Sequence, residues 1–184
     1  MSQRYKVIDS TVPTFVTITI IDWVDLFIRP TYFKILDDSL NYCISNKGLA
    51  VHAYVYMSSH IHLIISSQEN ELQDIIRDFK KHTSKEFIKA IKELPESRRE
   101  WLLAKFNYAA KRVKKGVSYK VWKDGYHPVI LDTSKKIEQR INYIHYNPVA
   151  SELVYHERDW KNSSYAVYEG DNLETPSVKV HTLW

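Results

Sequence analysis

The sequence predicts an α+β fold, and three observations carry that expectation. Short runs of β-branched and aromatic residues read as strands. Longer segments with apolar residues at i, i+3, i+4 and i+7 read as amphipathic helices. The two kinds of segment are interleaved along 184 residues, enough for one domain with a substantial core. There is no internal repeat and no low-complexity block. Residues 1–184 are therefore taken as a single domain, with a tail of unknown order from about residue 170.

Taken in order, Phe15-Val16-Thr17-Ile18-Thr19-Ile20 is the first strand. Residues 31–46 fit a helix that Gly48 stops. Residues 50–57 and 60–66 form a hairpin around the polar pair Ser58-Ser59, a weak turn signal because neither residue favours positive φ. Residues 71–92 form a strong helix, with Leu72, Ile75, Ile76 and Phe79 on one stripe. Pro95 breaks the chain and Ser97 is a candidate cap for the next helix, whose apolar stripe is Trp101, Leu102, Phe106 and Ala109. Residues 119–122 read as a further strand that reaches 129–131 through a turn at Asp124-Gly125. Asp132-Thr133-Ser134 opens a last helix, with Ile137, Ile141 and Ile144 facing the core and Pro148 marking its far end.

Composition narrows the class. Lys plus Arg is 26 against 22 Asp plus Glu, a net charge of +4, which permits a polyanionic partner without demanding one. Thirteen tyrosines and five tryptophans suit stacking on unpaired bases as well as a core. The single cysteine, Cys43, excludes an internal disulfide and falls in the apolar pattern of a helix. No apolar run is long enough to span a membrane, and residues 1–6 lack the apolar centre of a secretory signal. A cytoplasmic protein is expected.

His60-Ile61-His62 carries the first chemical signal. Side chains alternate along a strand, so the two imidazoles point to one face and can hold one divalent metal; packing alone also accounts for such a pair. The second signal lies on the last helix. Tyr143 and Asn147 are one turn apart and share a face that flanks the isoleucine stripe, where a group reaches a cleft. Two basic sets complete the candidates. Arg77, Lys80 and Lys81 lie opposite the apolar stripe of the 71–92 helix. Lys111, Arg112, Lys114 and Lys115 end the following one. Both read as phosphate contacts, as a solvated helix face, or, for the second set, as complements to the helix dipole.

Tyr143-Ile144-His145-Tyr146-Asn147-Pro148-Val149, with His60-Ile61-His62 upstream, resembles the HUH single-strand tyrosine transposases, and among them the REP-associated tyrosine transposase branch. Phe79-Lys80-Lys81-His82-Thr83-Ser84-Lys85, residues 122–131 and Ser163-Ser164-Tyr165 extend the likeness over most of 15–168. The resemblance implies a ferredoxin-like or RRM-like HUH endonuclease core, an antiparallel sheet with helices packed on one face. It implies metal ligation by His60, His62 and Asn147, with Mg²⁺ or Mn²⁺ as the ion, and Tyr143 as the nucleophile. The implied partner is single-stranded DNA bearing a hairpin, read in part by stacking on Tyr126 or Trp122, and a homodimer with a tyrosine exchanged in trans is compatible with it. Relatives often carry Pro-Asn where this chain has Ser58-Ser59, and Gly in the region of Glu152.

The chemistry suits these residue types. A phenol is a weak nucleophile at neutral pH, and the phosphodiester it attacks is an anion. A divalent ion neutralises and orients that phosphate, and neutral imidazole and carboxamide ligands leave the ion its full charge. Attack produces a 5′-phosphotyrosine and a free 3′-hydroxyl, so rejoining requires no ATP, in keeping with the absence of a Gly-rich phosphate loop. Two other classes stand beside this one. A catalytically silent hairpin-binding protein would act through the basic sets. A metal-dependent hydrolase would need a carboxylate base that the hairpin does not supply.

Overall fold

The computed structural model describes residues 9–113, 116–170 and 177–184. Four strands form one antiparallel sheet in the order β2-β3-β1-β4, where β1 is Thr14–Thr19, β2 Leu49–Tyr56, β3 His60–Ser67 and β4 Val129–Ile130. The helices are α1 Pro30–Lys47, α2 Leu72–Glu93, α3 Arg99–Lys111, α4 Ser134–Ala150 and the single turn α5 Tyr165–Tyr168. None of the described helices is long and apolar enough to cross a membrane.

Strand alternation divides the apolar residues between two layers. Val16 and Ile18 of β1, Tyr54 and Tyr56 of β2, and Ile61 and Leu63 of β3 face a large core. Leu36 and Leu40 of α1, Ile75, Phe79 and Phe87 of α2, and Phe106 of α3 close that core from above. Phe15, Val55 and Ile64 face the other way and meet Ile141 and Ile144 of α4. The α+β class expected from the sequence is therefore borne out, with one addition. Three long helices cover one face and α4 covers the opposite face, where Phe15, Ala53, Val55, Met57 and Ile64 form an apolar patch that needs a cover.

Local signals explain the element ends. Gly48 caps α1 in the left-handed region at φ +66°, a conformation open to glycine. Thr133 caps α4, its side chain accepting from the Lys136 amide at 3.3 Å. The 57–59 connection is held from outside the hairpin: the Ile20 and Phe27 amides donate to the Ser59 and Ser58 carbonyls, each at 2.8 Å.

Several boundaries differ from the sequence reading. Ser97 caps nothing; Arg98 occupies the cap position of α3, without a side-chain cap. Trp101 lies exposed, whereas Leu102, Phe106 and Ala109 are buried. The strand expected over 119–131 shrinks to the two-residue β4 and an isolated bridge between Trp122 and Ile20. Gly125 and His127 take positive φ there and Pro128 has no amide to donate, which interrupts the ladder. Pro148 lies inside α4, which runs on to Ala150, since a proline so near the end costs only one helix bond. Residues 177–184 dock: Val178 is fully buried, and the His181 amide donates to the Val51 carbonyl along the outer edge of β2.

Candidate active site

The register of β1 against β3 sets the site. His60 lies opposite Thr19 and His62 opposite Thr17, and both imidazoles project from the face that α4 covers. Their ring centroids are 4.8 Å apart. His62 is 4 % exposed and stacks on Phe15 at 5.3 Å. Its Nδ1 lies 2.9 Å from the Thr17 hydroxyl, whereas its Nε2 is buried with no hydrogen-bond partner. An orphaned buried nitrogen is costly unless something outside the chain satisfies it. His60 is half-buried, with the Ser59 hydroxyl 3.3 Å from its Nδ1.

Tyr143 rises from α4 on the same side. Its ring lies 5.4 Å from that of His62 and 5.9 Å from that of Phe15, and at 44 % exposure it remains open to a ligand. Asn147 follows one turn later, half-buried, and its carboxamide makes no hydrogen bond with any described residue. Trp23 borders the other side of the pair, edge-on to His60 at 5.3 Å. It is 56 % exposed, with Asp22 and Trp23 both at positive φ.

The electrostatics keep the pair neutral. Burial, the His60 neighbour and the Arg140 charge push the His62 pKa down to about 3. Burial also lowers that of His60, against the opposing effect of Asp25. Both rings therefore keep a lone pair at neutral pH, the form a metal binds. Among the described residues, no cluster of three or more His, Cys, Asp or Glu could hold a metal. A third protein ligand beside this pair has to come from another residue type. Two neutral imidazoles, one with an unpartnered Nε2, thus fit a divalent ion completed by a carboxamide or by water.

The basic candidates lie elsewhere. Arg77 is paired with Asp74 and Asp78. The Lys80 ammonium donates to the Lys123 and Gly125 carbonyls at 2.7 and 2.9 Å, and burial draws its pKa down to about 8. Lys81 lines a groove of about 960 Å³ between α2 and residues 116–124, together with Lys85, Lys89, Lys92 and Lys120, on the three-helix side of the sheet. Lys111 and Arg112 are exposed at the end of α3, with Arg112 over the Tyr108 ring; Lys114 and Lys115 fall outside the described residues. Trp122 is core, its indole donating to the Thr83 hydroxyl at 2.9 Å, and Tyr126 packs half-buried against the same core.

Sequence reasoning missed Thr17, Phe15, Trp23 and Arg140. The first two required the β1–β3 register. Arg140 could have been found, since it stands one helical turn before Tyr143.

Comparison with known proteins agrees with this architecture. Residues 27–102 match the family model described as IS200-like transposase, a stretch that contains His60 and His62 and ends before α4. A solved structure of a REP-associated tyrosine transposase bound to a REP hairpin superposes on 100 % of this chain and 93 % of its own, with a TM-score of 0.65 and 16 % identity. Two structures of a bacterial tRNA(His) guanylyltransferase (Thg1)-like protein, with GTP and with ATP, have TM-scores of 0.42. They are 13 % and 12 % identical, span 80 % and 92 % of this chain and 68 % and 72 % of theirs, and carry no argument. No curated protein matches the sequence. The resemblance read from the motifs is borne out by a family match over part of the chain and a shared fold over all of it.

Proposed function

We propose that this chain, which matches the IS200-like transposases over residues 27–102 and has the fold of a REP-associated tyrosine transposase, cleaves and rejoins single-stranded DNA beside a hairpin. The carrying observation is the 5.4 Å approach of the Tyr143 ring to His62, an imidazole whose Nε2 has no partner. That the structural relative is bound to a REP hairpin supports hairpin DNA as the substrate.

In this reading His60, His62 and Asn147 would hold Mg²⁺ or Mn²⁺, which when bound would supply positive charge to neutralise and orient the scissile phosphate. Tyr143 Oη attacks phosphorus. The P–Oη bond forms, the P–O3′ bond breaks, the phenolic proton passes to solvent, and the departing O3′ takes up a proton as a hydroxyl. The resulting 5′-phosphotyrosine conserves the bond energy, and a later 3′-hydroxyl reverses the step. Thr17 holds His62 in one tautomer. Trp23 offers an unpaired base a stacking surface beside His60, and the lysine-lined groove offers a path for a DNA backbone. The Tyr143 ring approaches His62 of its own chain, which supports a site complete in a single copy.

The test is a covalent protein–DNA band from labelled hairpins with Mn²⁺. Wild type should form it and Tyr143→Phe should not, with hairpin binding retained by both. Cleavage by Tyr143→Phe at the wild-type rate removes Tyr143 as nucleophile. Tight binding without any band assigns the chain to silent hairpin recognition.

A further inference from the structure

We infer that Arg140 is a further catalytic residue, whose guanidinium grips the non-bridging oxygens of the phosphodiester that Tyr143 attacks. The inference rests on the transposase reading above and adds a contact that neither the motifs nor the family resemblance assigned.

Arg140, Tyr143 and Asn147 fall within an arc of about 60° on α4 at 100° per residue, beside the buried Ile141–Ile144 stripe. The Arg140 guanidinium carbon lies 4.8 Å from the Phe15 ring centroid and 5.7 Å from that of Tyr143. Phe15 is also the ring on which His62 stacks. One apolar platform therefore orders the cation, the imidazole and the phenol together.

Among the described residues the donors of Arg140 are uncommitted; those of Arg112 and Arg158 are too, but it is Arg140 that lies against the Phe15 and Tyr143 rings. Arg29 and Arg98 pair with Glu96, Arg77 with two aspartates, and Arg99 donates to the Ile91 and Leu94 carbonyls. Arg140 makes neither a hydrogen bond nor an ion pair with any described residue; it is held against ring faces. A guanidinium held over rings keeps its N–H edge available, and that planar fork matches two phosphate oxygens. No carboxylate among the described residues pairs with it, so its charge is not neutralised before the substrate arrives. It carries no proton in the reaction. While the P–Oη bond forms and the P–O3′ bond breaks, charge accumulates on the equatorial oxygens, and a fixed cation there favours the transition state over the ground state.

The test compares single-turnover formation of the covalent band by wild type, Arg140→Gln and Arg140→Lys with saturating hairpin DNA and Mn²⁺. Arg140→Gln should react about 100-fold more slowly, with hairpin affinity within about threefold of wild type and Mn²⁺ binding unchanged or tighter. A Gln variant within about threefold of the wild-type rate overturns the inference, and so does a rate loss matched by an equal loss of Mn²⁺ binding. Because Arg140 also packs on Phe15, melting temperatures are recorded. If Arg140→Gln is destabilised, Arg140→Lys decides, since it keeps the charge and most of the stem. Recovery of about tenfold over Gln supports the contact, and a Lys variant as slow as Gln overturns it. Failure of wild type to form any covalent band would instead defeat the transposase reading itself.

Discussion

The hydroxyl of Thr17 on β1 lies 2.9 Å from Nδ1 of His62, its cross-strand partner on β3. With Thr17 accepting, Nδ1 carries the proton and the Nε2 lone pair is left for a ligand. Thr17→Val keeps the β-branched shape and removes the acceptor. Mn²⁺ affinity should fall about 10- to 100-fold, as read by calorimetry. An unchanged affinity would dissociate Thr17 from the proposed metal site.

Trp23 presents an exposed indole beside His60. Trp23→Ala should weaken binding of a hairpin with an unpaired flank by about 1–3 kcal/mol and leave a blunt hairpin almost unaffected. Anisotropy titrations of the two DNAs make the comparison, and equal losses would count against base stacking.

His145 lies two residues after Tyr143, buried, with Nε2 2.9 Å from the Ser164 hydroxyl. Burial draws its pKa down to about 4, below an unfolded value near 6.5. Between those values the unfolded chain binds the proton and the folded chain does not. Stability is therefore complete above pH 6.5 and declines as the pH falls toward 4. His145→Gln should flatten this acid loss by on the order of 2–3 kcal/mol between pH 7 and 4.5, seen in denaturant melts. Parallel pH profiles for the two proteins would refute the assignment.

Glu152, just beyond α4, sits at φ +57°, a region that disfavours residues with a Cβ. Glu152→Gly should raise stability by about 1 kcal/mol, visible as a higher melting temperature. A lower one would mean that the Glu152 side chain makes a contribution larger than the strain.

Much of the site is legible in the amino-acid order. The hairpin, the shared face of His60 and His62, the long α2 stripe and the Thr133 start of α4 all follow from period-2 and period-3.6 patterns. The strand expected over 119–131 is broken because Gly125, His127 and Pro128 interrupt its regular pairing, although the Lys123 amide and the Tyr126 carbonyl still bond to β1. Ser97 fails as a cap because α3 begins one residue later than its position requires. The basic stripes are legible as charge but not as free charge: Arg77 is paired to aspartates and Lys80 to carbonyls.

On its own, the amino-acid order determined the local elements and the kind of chemistry available, because backbone geometry repeats over two or 3.6 residues whatever surrounds it. It could not say that α4 lies across the sheet from α1, α2 and α3, that Thr17 faces His62, or that Phe15 collects His62, Tyr143 and Arg140 around one ring. Those relationships join positions 45 to 128 residues apart. Only burial of both faces of one sheet selects them, since moving β1 by a single residue would turn Phe15 and Thr17 away from the histidines.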